Sequence, residues 1–222
     1  MDIWHIRGGN KLEGTCFVQG SKNASLPIIA ASIAAPARSE LTNVPQLRDV
    51  DAALRILRHL GCTAEQLGND VYIDSTGLTE STIPHSLMLE MRSSVIFMGA
   101  LLARCGVARL SLPGGCQLGK RPIDIHLAAL RQMGAQIEEN GGEISCRADK
   151  LRGTELELPF PSVGATENIM LAATAAEGGT IICPRACFYP VFCCVEVFSS
   201  AMRGCGNSVM PTVLTLFGTC LL

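Results

Sequence analysis

Cys116 stands in LPGGCQLGKRPID, residues 112–124, with Gly114 and Gly115 before it and Lys120 and Arg121 after it. Glycines permit tight turns and close approach of backbone to a ligand. Nearby cations favour the thiolate, the nucleophilic form of cysteine. Pro122 suits the first turn of a following helix, and a helix N-terminus beside Arg121 suits phosphate. The same residues also describe a glycine-rich turn around an inert thiol, and the loop alone leaves both readings open. Lys22 and Asn23, in GSKNASLP (20–27), precede an apolar helix in the manner of a capping region. A lysine there opposes the helix macrodipole. An anion facing it would offset that small cost; a solvated lysine is the plain alternative. Arg92, in MLEMRSSVIFMGALLA, heads a second apolar helix, either for the same reason or as a surface arginine laid along apolar neighbours. Lys22, Arg92 and Arg121 thus hold related places near helix starts. Helix ends gathered around one axis would suit a ligand bearing phosphate and carboxylate. Asp124 and His126 read as structural or ligand-orienting rather than as a catalytic dyad. His5, His59 and His85 are isolated, and the sequence holds no metal-ligand cluster, Gly-x-Gly-x-x-Gly fingerprint or Walker loop.

The elements that position these residues repeat. At an offset of 73 residues, LRDVDAALRILRHLGCTAEQLGNDVYI (47–73) lies over KRPIDIHLAALRQMGAQIEENGGEISC (120–146). Arg48 meets Arg121, Asp51 meets Asp124, Leu54 meets Leu127 and Gly61 meets Gly134. The shared grammar is an apolar helical face closed by a C-cap glycine, then a short alternating strand, a glycine turn and a second strand. SKNASLPIIAASIAA (21–35) resembles SVGATENIMLAATAA (162–176) at an offset of 141, and RSSVIFMGALLARCG (92–106) is a weaker middle copy. The spacing predicts three helix–strand–helix–strand–strand units near 21–93, 94–161 and 162–182, each covering its neighbour's apolar helix face. The third unit breaks off after AAEGGTII (175–182).

Residues 183–222 are apolar and cysteine-rich. They carry only Arg185, Glu196 and Arg203 as charges, half of the chain's aromatic residues and six of its eleven cysteines. We expect this tail to be poorly ordered and to arise from a shifted reading frame or another coding disruption; a natural lineage-specific tail is the alternative. Cys183-x3-Cys187 and Cys193-Cys194 lack the usual zinc spacing, so we expect no metal, although a redox or metal module built by the tail is a competing reading. Hydrophobic residues make up 48% of the 222, enough for a sizeable core, and a net charge of −2 argues against a general nucleic-acid binder. No apolar run reaches the roughly 18 residues that a membrane span needs, and MDIWHIRGGNKLEG lacks the apolar stretch of a signal peptide. A cytoplasmic location with no membrane partner is the expectation.

Five stretches, taken together, resemble one family: GSKNASLPIIAASI, LTNVPQLRDVDAALRIL, MRSSVIFMGALLAR, LPGGCQLGKRPIDIHLAALRQMGA and PSVGATENIMLAATAAEGGTII. In order and spacing they are similar to the UDP-N-acetylglucosamine 1-carboxyvinyltransferases, over about residues 1–182. The sister enzyme acting on shikimate 3-phosphate shares the fold, but the Pro-Gly-Gly-Cys loop with Arg-Pro-x-Asp points to the UDP-sugar enzyme. The resemblance implies an α/β (α+β) inside-out barrel domain of β-α-β-α-β-β units, helices inside and sheets outside, with the third unit incomplete. Residues 20–182 would form the first of two such domains, and residues 1–19 would pack on the second. The implied reaction moves enolpyruvyl from phosphoenolpyruvate to the 3-hydroxyl of UDP-N-acetylglucosamine and releases phosphate, the first committed step of peptidoglycan synthesis, without a cofactor. By the same resemblance Cys116 is the proton donor and the thiol alkylated by fosfomycin. Lys22 and Asn23 contact phosphoenolpyruvate, and Arg92 is an active-site arginine. Arg121, Pro122, Ile123, Asp124 and Ile125 form the UDP-sugar loop, with Arg121 near the phosphates. Ser162, Val163 and Gly164 form a second nucleotide loop; Phe160 stands where some members carry lysine. The second domain, which supplies a base and further arginines, has no counterpart in this sequence. A separate chain is one candidate source for it. The alternative reading is a truncated inactive fragment with at most weak UDP-sugar binding.

Overall fold

Ser21 and Ser162 begin two helices in the same way, and the repeat grows from that start. The computed structural model describes residues 5, 8–9, 11, 13–91, 93–111, 123–159 and 161–184. Helix α1 (Lys22–Ala31) is capped by Ser21, whose Oγ accepts from the Ala24 N–H at 3.4 Å. The helix Val163–Ala173 is capped by Ser162, whose Oγ accepts from Ala165 N–H at 3.3 Å. In both, the hydroxyl four residues on returns to the cap carbonyl: Ser25 Oγ donates to Ser21 O at 2.8 Å and Thr166 Oγ1 to Ser162 O at 2.9 Å.

The second half of each unit repeats as closely. After α1 come β1 (Arg38–Leu41) and α2 (Arg48–His59), then a hairpin of β2 (Thr63–Leu67) and β3 (Asp70–Asp74). Helix α2 carries Asp49 and Asp51 in its first turn and Arg58 and His59 in its last, complementing the macrodipole at both ends. It stops at Gly61, whose φ of 96° belongs to the region that favours glycine. In the second unit a short β4 (Thr82–Ile83) leads through α3 (His85–Glu90) and a 3-10 turn at Ser94–Ile96 to α4 (Phe97–Cys105). Next come β5 (Val107–Ser111), α5 (Asp124–Gln132) and the hairpin of β6 (Gln136–Asn140) and β7 (Glu143–Arg147). Strands β8 (Glu155–Leu158) and β9 (Ile181–Pro184) flank α6 (Val163–Ala173) in the third.

Strand order makes the repetition plain. The first sheet runs β1-β3-β2 and the second β4-β5-β7-β6; in each, the strand before the second helix pairs antiparallel with the last strand of the hairpin. Strand β4 lies parallel to β5, and β8 lies parallel to β9. Parallel neighbours need a crossover, which α4 and α6 supply. The repeated unit is therefore β-α-β-α-β-β.

Helices form the interior. In α4 every residue from Phe97 to Leu102 is buried, as expected of a helix enclosed on all sides. The sheets turn one face inward, with Val71 and Ile73 of β3 and Ile144 and Cys146 of β7 buried, while alternate residues face out. Burying side chains such as Ile29, Phe97 and Leu101 contributes about 1.5–3 kcal/mol each.

The structure differs from expectation at two helix starts. Helix α4 begins at Phe97, not beside Arg92, because Ser94 Oγ donates back to Met88 O at 3.3 Å and the chain first makes the 3-10 turn. The periodicity also gave no sign of α3. Helix α5 opens at Asp124 with Ile123 as its cap residue; Pro122 lies outside the described residues. Among the described residues no helix is long and apolar enough to cross a membrane.

Candidate functional site

Lys22 is the first helical residue of α1, a turn that holds no acidic residue. Its charge is met from the neighbouring helix instead: Nζ lies 2.7 Å from Oδ2 of Asp49, in the first turn of α2. Both side chains are partly exposed, and such pairs are worth about 0–1 kcal/mol. An arriving anion can therefore take over Lys22 at little cost. Pro27 sits inside α1 and has no N–H to give the carbonyl of Asn23, four residues earlier.

The heads of α5 and α6 meet. A Cβ placed on Gly164 would sit 3.5 Å from Cε1 and 3.8 Å from Nε2 of His126, so the ring edge packs against the first turn of α6. Val163, in that turn, is 66% exposed. His126 is buried, and its Nδ1 lies 3.0 Å from Nδ2 of Asn168, a fully buried residue of α6. Asn168 also accepts from Gly99 N–H at 2.6 Å and donates to Val95 O at 3.1 Å. One amide thus ties α4, α5 and α6 together. Asp124 is exposed, Ile125 half-buried and Ile123 buried. Asp124 and Ile125 line a shallow groove of about 160 Å³ with Leu156 and Pro159.

Several sequence-predicted residues, namely Arg92, Cys116, Arg121 and Pro122, lie outside the described residues, as do Phe160 and the tail beyond Pro184. The described thiols of the core contrast with what a reactive cysteine needs. Burial pushes Cys62 up to about 11 and Cys146 up to about 12, so both stay protonated and inert at neutral pH. Among the described residues no three His, Cys, Asp or Glu side chains gather as a metal site. Concavities of about 400 Å³ beside Gln132, Arg147 and Lys150, and about 390 Å³ beside His85 and Arg109, contain none of the predicted residues.

Sequence reasoning found His126 but missed Asn168. The available signal was an amide alone within the apolar, alanine-rich stretch ENIMLAATAA. A polar side chain on such a face must find partners when buried.

The comparisons agree with the architecture and narrow the chemistry. The chain matches the family EPSP synthase (3-phosphoshikimate 1-carboxyvinyltransferase) over residues 6–191. It is 49% identical over 182 residues to UDP-N-acetylglucosamine 1-carboxyvinyltransferase 2 of Caldanaerobacter subterraneus subsp. tengcongensis, covering 82% of this chain and 44% of that one. It is 46% identical over 182 residues to UDP-N-acetylglucosamine 1-carboxyvinyltransferase of Geotalea uraniireducens, with the same coverage. The chain therefore spans less than half the length of these curated relatives. The enolpyruvyl transferase NikO from Streptomyces tendae superposes with a TM-score of 0.67 at 22% identity, over 79% of this chain and 41% of that one, which shows a shared fold. EPSP synthase from Acinetobacter baumannii superposes at 0.61 with 28% identity, over 78% of this chain and 40% of that one. With the repeated β-α-β-α-β-β unit and the match over most of its length, this chain belongs to the EPSP synthase family of enolpyruvyl transferases.

Proposed function

We propose that this chain carries the first substrate-binding domain, residues 20–182, of a cytoplasmic enzyme that transfers enolpyruvyl from phosphoenolpyruvate to the 3-hydroxyl of UDP-N-acetylglucosamine. The observation that carries the reading is 44–49% identity over 182 residues to curated enzymes of that name. The EPSP synthase structures share the fold at only 27–28% identity, which favours the UDP-sugar over shikimate 3-phosphate.

In this reading the sugar 3-hydroxyl adds through its oxygen to C2 of phosphoenolpyruvate, its proton passing to the base that the second domain supplies, while the Cys116 thiol gives its proton to the C3 methylene. The tetrahedral adduct then loses phosphate from C2 and returns a proton from C3 to the Cys116 thiolate, restoring the double bond. Lys22 and Asn23 hold phosphoenolpyruvate, with Lys22 exchanging Asp49 for the ligand's negative charge. Arg92 and Arg121 meet further negative charge, and charge-assisted pairs of this kind fix orientation as well as affinity. Ser162, Val163 and Gly164 form one wall of the UDP-sugar site, and Pro122, Ile123, Asp124 and Ile125 another. Proton donation by a positioned group contributes roughly 10²–10⁴-fold in rate.

The test is phosphate release by the purified 222-residue chain from phosphoenolpyruvate plus UDP-N-acetylglucosamine, beside calorimetric titration with the UDP-sugar. Release that disappears in Cys116→Ser supports the full reaction. Saturable UDP-sugar binding without release supports the binding role and assigns turnover to a longer assembly. Absence of UDP-sugar binding, or preferential binding of shikimate 3-phosphate, overturns the reading.

A further inference from the structure

The strand order of the repeat leaves one place unfilled. In the second unit the first strand, β4, lies parallel to β5 at the outside of the sheet, and in the third β8 holds the same place beside β9. In the first unit β1 pairs with β3 alone among the described residues, so the edge where such a strand would lie has no described neighbour. Just before α1 the chain carries a segment that fits. Residues 13–20 belong to no helix or strand and make no backbone hydrogen bond to another described residue. Phe17 is 90% and Val18 89% exposed. The offset of 141 that lays Ser21 on Ser162 also lays residues 14–17 on β8. Strand β8 alternates, with Leu156 and Leu158 buried and Glu155 and Glu157 facing out. Thr15 and Phe17 fall on the buried places, Gly14 and Cys16 on the outward ones.

One end of this segment already sits where a strand beside β1 would end. A Cβ on Gly20 would overlap the Asn43 carbonyl oxygen, so main chain lies on main chain there, two residues past the end of β1 at Leu41. Parallel neighbours end side by side, as Leu158 does with Pro184. Phe17 precedes the cap Ser21 by the same four positions that separate Leu158 from the cap Ser162. Helix α1 then supplies the crossover that a parallel pair needs, as α6 does in the third unit. We infer that residues 14–18 are a strap that closes on the free edge of β1 in their own chain, parallel to it, with Phe17 turned inward at the place that Leu158 fills in the third unit. This inference does not rest on the function proposed above. The resemblance sends residues 1–19 to a second domain that has no counterpart in this sequence; the edge of β1 is the strand place that this chain itself offers them. A strap tethered at Gly20 meets that edge at an effective concentration in about the millimolar range, which favours its own chain over a second copy. Closure also covers a free sheet edge, the feature through which separate molecules pair and aggregate.

The experiment is amide hydrogen exchange with amide–amide NOE measurement by NMR on the ²H,¹⁵N-labelled 222-residue chain, wild type and Phe17→Asp, with light scattering to give the mass in solution. In the wild type the amides of residues 14–18 are expected to exchange about tenfold or more slowly than in a free peptide, and to show NOEs to residues 38–42 in a monomer. Phe17→Asp is expected to return the strap to free-peptide rates while the amides of α4 keep theirs. Free-peptide exchange throughout 14–18 in the wild type overturns the inference without any variant, and so do NOEs to β9 in place of β1. Protection found only in a dimer shows exchange with a second copy and overturns closure within one chain. Protection that survives Phe17→Asp overturns the inward place of Phe17.

Discussion

Replacing Gly99 by alanine should destabilise the protein, although helix propensity argues the opposite. Gly99 lies inside α4, and there alanine is favoured over glycine by about 0.8–1 kcal/mol. Against that gain stands the close crossing of α4 and α6. A Cβ at position 99 would come within 2.1 Å of the Asn168 carbonyl oxygen, 2.4 Å of Asn168 Oδ1 and 3.1 Å of its carbonyl carbon. Two of those atoms are main chain, so no side-chain rotation relieves the contact. Helix α6 must move away, at roughly 1–3 kcal/mol for overpacking. The Gly99 N–H to Oδ1 bond breaks with it, leaving buried polar groups that cost about 1–3 kcal/mol when unsatisfied. The clash and the lost bond outweigh propensity, for a net loss of about 2–4 kcal/mol. At about 2–4 °C per kcal/mol for a chain of this size, the melting temperature should fall by roughly 10 °C. Urea unfolding followed by far-UV circular dichroism, with thermal melts on the same samples, measures it. A Gly99→Ala chain as stable as the wild type, or more so, would refute the close crossing and the Asn168 hub with it.

Three further outcomes rest on particular contacts. Asp49→Asn removes the partner of Lys22 at a stability change within about 1 kcal/mol; phosphoenolpyruvate binding, followed by calorimetry, should tighten, and weakened binding would show that Asp49 aids the ligand. Asp74 is held down to about 2 by the Thr76 hydroxyl at 2.5 Å, the Thr76 N–H and the Arg38 guanidinium. Its folded-state value lies below the ordinary 3.8, so its contribution is present above that pH and lost as pH falls through about 2; Thr76→Val should move the Asp74 titration midpoint upward in NMR. Cys62 and Cys146, buried with raised thiol values, should resist iodoacetamide in the native chain at pH 7.5 and react on unfolding, as mass spectrometry of labelled peptides would show.

The repeat was legible because it is written in residues whose physical roles are local. Ser21 and Ser162 cap helices, Gly61 and Gly134 adopt positive φ at helix ends, and the hairpins turn at Gly68 and at Gly141–Gly142. Each of those demands leaves a residue type at a fixed offset. The start of α4 was not legible, because Ser94 is spent on Met88 O rather than on a cap, and no local pattern separates those uses of serine. Helix α3 has one buried residue, Met88, too little to impose a period. At the site, His126 was visible as a residue type, whereas its partner depends on α5 and α6 crossing. A pair 42 residues apart in sequence is decided by packing, not by spacing.

The same offset that exposes the scaffold also shows where the copies part. From Ser21 and Ser162 onward, Ala24 matches Ala165 and Ser25 has its counterpart in Thr166, so the cap, its amide donor and its returning hydroxyl are all retained. Between them the two copies differ completely: Lys22 and Asn23 occupy the places held by Val163 and Gly164. Those are the first two helical positions, and their side chains make none of the cap hydrogen bonds. They are free to carry chemistry. In the first copy they bring a cation and an amide, suited to an anion. In the third they bring an exposed apolar side chain and a glycine whose Cβ position would lie in ordinary van der Waals contact with the His126 ring edge. A repeated scaffold with equivalent helix heads thus yields two unlike surfaces, one for charge and one for shape, from the same local fold.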